Sequence, residues 1–319
     1  MENENHTSVT EFILVGLANS QKTRICLFLI ILLTYSLTVM GNLVIIVLVR
    51  GDSSLHTPMY FFLSNLSVLE ICFVTSSMPQ MLAHLLSGNG AISFIRCMSQ
   101  MYITVCLGSV ECFLLGAMAY DRYLAICHPL LYVITMSRRR QVQLASASWA
   151  NGFLLTSVNV SFILRLPYCG PNRINHFFCD MPIVLKLACT DIRVTERTVI
   201  ILAALIVVLP FSIILTSYIL ILSSVIRMRS AAGRRKAFST CASHLIVVTL
   251  FYGILIIVYL TPGSDRAPGH DKELAVFYMV VTPLLNPIIY TLRNKDIHRA
   301  MSRMVQRWGL KEKQSTLMS

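Results

Sequence analysis

Residues 25–49 read ICLFLIILLTYSLTVMGNLVIIVLV, a run without one charged side chain. About 18 or more consecutive apolar residues suffice to cross a bilayer as a helix. Further charge-free runs occupy Val142–Leu164, Thr198–Ile226, Ala237–Leu260 and Leu274–Leu292. Two more, Pro58–Ala83 and Met98–Tyr120, carry a single acid each, Glu70 and Glu111. Hydrocarbon offers the backbone no hydrogen-bond partner, so these seven runs predict seven spanning helices, an all-α membrane bundle. Pro79, Pro210, Pro283 and Pro287 then read as kinks inside a packed bundle. The bundle takes up residues 25–292, between an external segment 1–24 and a tail 293–319.

Composition agrees. The 319 residues are 55% hydrophobic and 13% charged, with mean hydropathy +0.67; a soluble domain carries about a quarter charged residues. A soluble two-domain enzyme, a disordered chain and a disulfide miniprotein are excluded. Residues 1–24 are mostly polar, and the first apolar run is too long for a cleavable signal, so it reads as a retained anchor.

The net charge of +12 is read by location. Of the 27 Lys and Arg, 17 fall on the side of Arg50, Arg122, Arg138–Arg140, Arg227–Lys236 and the tail, against 4 acids; the other side has 10 against 9. The positive-inside rule makes the tail cytoplasmic and the N-terminus extracellular. The basic excess then faces anionic lipid, not nucleic acid. In the tail, Ile297, Met301, Met304, Val305 and Trp308 recur at helical spacing, with Lys295, Arg299, Arg303 and Arg307 opposite: a short amphipathic helix on the inner leaflet.

Topology also sorts the ten cysteines. Cys97, Cys169, Cys179 and Cys189 lie outside, where disulfides form, and four cysteines allow three pairings. A bridge from Cys97 to the 165–197 loop pins that loop over the bundle mouth. Asn5-His6-Thr7 is a glycosylation sequon in an external segment. Asn65-Leu66-Ser67 and Asn159-Val160-Ser161 also match but fall within spans, which excludes modification.

Span three is the most informative. Thr104, Gly108, Glu111, Leu115 and Arg122 share one helical face, and a charge at bilayer depth turns inward. Glu111 and Glu70 would repel if both ionised, so either one is protonated or a monovalent cation sits between them. A transporter or channel using the pair as an ion or proton site is the alternative class.

The span ends in MAYDRYLAICHPL, residues 118–130. The chain also has Gly41-Asn42 in span one, LHTPMYFFLSNL at 55–66 and Ser217-Tyr218 in span five. KAFSTCASH at 236–244 opens span six, and PLLNPIIY at 283–290 ends span seven. This set resembles the vertebrate olfactory receptors, a branch of the rhodopsin-like G-protein-coupled receptors, over about residues 10–310. Glu70 departs from the Asp usual there.

The resemblance implies a mechanism. Asp121 and Arg122 would hold the inactive state until span six moves outward, and Tyr218 and Tyr290 would then swing in. Glu70, Glu111, Asn42 and Asn286 would form a central polar site able to hold a sodium ion as allosteric modulator. The implied bridges are Cys97–Cys179 and Cys169–Cys189. The implied partner is a heterotrimeric stimulatory olfactory G protein that raises cyclic AMP at the plasma membrane. The implied odorant pocket takes Thr104, Val105, Gly108 and Ser109 from span three and Leu202 and Ile206 from span five. Tyr252, Leu255 and Tyr259 come from span six, and Val276 and Met279 from span seven. These residues carry no charge, which suits a small, mostly apolar, uncharged ligand.

An enzyme is not expected, since no nucleophile–base motif occurs and Ser109 has no histidine within helical reach. A retinal protein needs a lysine in span seven, and residues 274–292 have none.

Overall fold

The computed structural model of the chain describes residues 9–18, 20–170, 172–228, 230–257, 270–292 and 294–317. Among the described residues, six helical segments are long and apolar enough to cross a membrane. They are α1 (Gln21–Gly51), α2 (Pro58–Ser87), α3 (Phe94–Cys127), α5 (Arg138–Leu164), α7 (Arg193–Arg227) and the stretch Lys272–Thr291. That last stretch is α9 (His270–Val276), a π turn (Phe277–Val281) and α10 (Thr282–Leu292) in sequence. The seventh member is α8 (Ala231–Leu255), whose apolar part is Cys241–Leu255. Its expected end at Leu260 lies outside the described residues. Short helices α4 (Pro129–Thr135) and α6 (Met181–Leu185) sit in connections, and α11 (Lys295–Leu317) follows the bundle.

Local chemistry sets the ends. Pro58 opens α2, where its missing N–H costs nothing. Gly88 closes it in the left-handed region, at φ 73°. Ser93 caps α3 by accepting from the Arg96 amide. Pro79, Pro210 and Pro287 all lie within helices.

The most buried span is α3, and it packs against α2, α5, α7 and α8. Its contact with α5 is close because Gly152 has no side chain: a Cβ there would come 2.8 Å from the Val110 backbone nitrogen.

One feature departs from the sequence expectation. Residues 9–18 are not a plain polar extension, because β1 (Glu11–Leu14) is the centre of a three-stranded sheet. It runs antiparallel to β2 (Ala91–Ser93) and parallel to β3 (Arg173–Ile174). Phe12 and Leu14 alternate inward and are almost fully buried, a period-two pattern hidden in four residues. The strand thus draws the N-terminal segment and the 165–197 loop into one lid.

At the other end, α11 docks through Ile297 and Ala300, both buried. Arg303, expected on the solvent face with Lys295 and Arg299, instead bonds Asp52 at 2.8 Å and Ser54 at 2.7 Å. The Ser54 hydrogen bonds, then the Arg303 guanidinium, hold the Asp52 carboxyl down at about 2. A depressed acid stabilises above its unfolded pKa of about 4 and loses that contribution only as pH falls through its folded value. Amide-exchange protection over residues 297–306 is therefore expected to be equal at pH 7 and pH 5. Asp52→Asn should lower it at both pH values while leaving α1–α3 protected.

Candidate functional site

The half of the bundle beneath the lid holds a cavity with about 890 Å³ of empty space, its open mouth included. On α3 its wall is Thr104, Val105, Gly108 and Ser109, and deeper down Glu111 and Cys112. From α7 come Ala203, Ile206 and Val207, and from α8 Phe251, Ile254 and Leu255. Span seven adds Tyr278, Thr282 and Pro283, α2 adds Phe73 and Glu70, and α5 adds Asn159. Met181 of α6 reaches in from the lid.

Six of the residues expected from sequence thus meet in one wall: Thr104, Val105, Gly108, Ser109, Ile206 and Leu255. Four do not. Leu202 yields its place to Ala203 on the neighbouring helical phase. Tyr252 turns to the α3 backbone, where its hydroxyl donates to the Cys112 carbonyl at 3.2 Å. From span seven Tyr278 and Thr282 line the cavity in place of Val276 and Met279; the π turn at Phe277–Val281 adds a residue to one turn and so shifts the face presented from there on. Tyr259 lies outside the described residues, as does Asn5.

The lid is fastened to α3 by the Cys97–Cys179 disulfide, and Cys169–Cys189 closes the loop on itself. Both pairings are those the resemblance implied. The Cys179 amide also donates to Gln100 at 3.0 Å, and the Tyr278 hydroxyl to Asp180 at 3.2 Å, joining lid to spans three and seven.

At the cavity floor the Asn286 amide donates to Glu70 Oε1. Glu70 Oε2, Glu111 Oε1, Asn286 Oδ1 and the Tyr290 hydroxyl are buried without a partner. Two carboxylates and an amide with orphaned oxygens are hard donors that fit a small cation. Asn42 is buried too, but its amide is used on its own helix, donating to Thr38 at 3.0 Å.

Near the end of α3 remote from the lid, Asp121 and Arg122 are both buried. Asp121 accepts from the Tyr132 hydroxyl at 2.9 Å, and among the described residues it forms no ion pair with Arg122. Tyr218 shares a 2.7 Å hydrogen bond with His244 Nδ1, and His244 Nε2 lies 3.2 Å from the Leu115 carbonyl. His244 was quoted in the sequence only as part of a motif; a histidine at bilayer depth is the signal that could have singled it out.

With this geometry in place, comparison with known proteins decides the family. The sequence profile described as Olfactory receptor matches residues 30–307. The chain belongs to the olfactory receptor family. Human olfactory receptor 2D2 is 48% identical over 307 residues, covering 96% of this chain and 99% of that protein. Human olfactory receptor 5F1 is also 48% identical, covering 96% and 98%. Mouse olfactory receptor 5G9 is 47% identical, covering 96% and 97%. Squid rhodopsin has the same fold, with a TM-score of 0.72 at 18% identity over 92% of this chain and 88% of its own.

The olfactory receptor is accordingly a G-protein-coupled, odorant-sensing protein of the plasma membrane that crosses it several times, and not an enzyme. Membership displaces the transporter or channel alternative. Sequence reasoning missed Phe73, Met181, Ala203, Tyr278 and Asn159 in the wall. Of these only Asn159 carried a usable signal, a polar amide at bilayer depth.

A Cβ built on Gly108 meets nothing within 4 Å. Gly108→Val therefore should fold with unchanged thermal stability and fill cavity space. Agonist potency in a cell reporter should fall by roughly tenfold or more, the scale of overpacking a fitted site.

Proposed function

We propose that this receptor binds a small, mostly apolar, uncharged odorant in the outer cavity and activates a stimulatory olfactory G protein, raising cyclic AMP. The observation that carries the reading is the continuity of the cavity. Its wall is aliphatic and aromatic at the level of Thr104 and Ile206, and its floor is the Glu70–Glu111 pair. An occupant therefore touches α3, α7, α8 and span seven at once, and also borders the polar cluster whose packing must change. Agonist and G protein then favour the same open arrangement, each strengthening the other.

In this reading Glu70, Glu111 and Asn286 hold a sodium ion in the resting state, and the ion supplies the positive charge that offsets two buried acids. Asp121, held by Tyr132, fixes the loop beside Arg122, and Arg122 becomes available to the G protein when α8 moves. The N-terminus is extracellular with Asn5 glycosylated, the tail is cytoplasmic, and α11 rests on inner-leaflet lipid.

The test is a cyclic-AMP reporter in cells co-expressing the olfactory G protein, screened with volatile compounds. Arg122→Ala should abolish every response at equal surface expression, and Thr104→Leu should change which compounds act. Responses that persist at full size in Arg122→Ala would overturn the coupling mechanism.

A further inference from the structure

Asn159 stands apart in the cavity wall. It is 1% exposed, and both its Oδ1 and its Nδ2 are buried without a hydrogen-bond partner. The other polar groups of the upper wall are engaged. Ser109 donates to the Val105 carbonyl at 2.7 Å and lies 3.1 Å from the Thr156 hydroxyl. Thr104 is within 3.4 Å of the Ser76 and Ser77 hydroxyls. The orphaned oxygens of Glu70 and Glu111 belong to the floor, on other helices and grouped with Asn286. One donor and one acceptor, adjacent on a single side chain in an apolar wall, therefore lack partners, and such groups are costly until something satisfies them.

We propose that Asn159 is the polar anchor of the ligand and that the ligand is a neutral alcohol. The inference rests on the outer-cavity reading above and names its ligand class. A hydroxyl is the small uncharged group that answers both amide atoms, donating to Oδ1 while accepting from Nδ2. A ketone or ether answers Nδ2 alone, and a hydrocarbon answers neither. Discrimination of this kind is strong because the wrong ligand leaves the site's own polar groups unpaired. Open room beside Gly108 accommodates the apolar body.

The experiment uses the full chain in lipid nanodiscs, with thermal unfolding followed against three matched series. These are alcohols of five to ten carbons (linear, cyclic and aromatic), the corresponding ketones, and the hydrocarbons. At least one alcohol should raise the unfolding temperature saturably, its ketone should bind roughly tenfold or more weakly, and its hydrocarbon more weakly still. Asn159→Leu should remove the preference for alcohol over hydrocarbon, with the same variant reporting any effect of alcohol on the lipid. Its ligand-free unfolding temperature should equal or exceed that of the parent, since an unpaired buried amide has gone. Should Asn159→Leu not express, Asn159→Ala, which also lacks a donor and an acceptor, serves the same comparison. Three results would overturn the inference: silence of every alcohol, an alcohol preference that survives in Asn159→Leu, or a fall in the ligand-free unfolding temperature of that variant. The last would make Asn159 a structural group of the scaffold. Alcohol binding without a cyclic-AMP signal would instead sink the coupling reading and leave this one standing.

Discussion

Lipid offers no hydrogen bond, and that absence shapes every other feature of this receptor. Each spanning segment pairs its backbone within itself as a helix, and polar side chains turn inward. Leu29, Leu33 and Met40 of α1 are 59–62% exposed, whereas Thr38 and Asn42 of the same helix are buried. Such a distribution would be inverted in a soluble protein. Here it follows from a solvent that welcomes leucine and rejects amides. The inward polar groups form the acid cluster, the His244–Tyr218 pair and Asn159, so the places where chemistry can occur are the ones lipid has forced inside.

One helix connects those places. Along α3 lie the upper cavity wall at Thr104 and Gly108, the floor at Glu111 and, at the end remote from the lid, Arg122. Two carbonyls of its backbone, Cys112 and Leu115, are bonded to Tyr252 and His244 of α8. Outward motion of α8 has to break or exchange both contacts, and Phe251 and Leu255, flanking Tyr252, face the ligand cavity. An occupant of the cavity would therefore press on the helix that these two hydrogen bonds hold against α3.

Much of this was readable from residue order, because the properties concerned are local. Apolar run length, with at most one acid per run, pointed to the seven spans, and Lys and Arg placement to an orientation. The wall residues of α3 came from the family resemblance, and the regular phase of that helix keeps Thr104, Gly108 and Glu111 on one face. Reading failed where phase is broken or where contact is remote. Met279 sits inside a π turn that breaks the helical phase, and Tyr252 is turned aside by a hydrogen bond to another helix. β1 escaped because four residues alternating beside two equally short strands carry no signal of their own. Asn159 was noticed as a sequon, yet its place in the wall depends on how α5 packs against α3 at Gly152.

The sequence by itself determined that the chain crosses a membrane seven times, that Glu70 and Glu111 are buried, and to which family it belongs, since these follow from hydropathy, helical period and motif. Tertiary structure alone decided the rest. It decided that Arg303 meets Asp52, that the N-terminal strand joins the lid, and that the ligand cavity runs down to Glu111. It also decided that one asparagine faces that cavity with both amide atoms unused. The physical reason is that helix formation in lipid depends on each segment's own composition, whereas the partners of a buried polar atom depend on how the segments pack together.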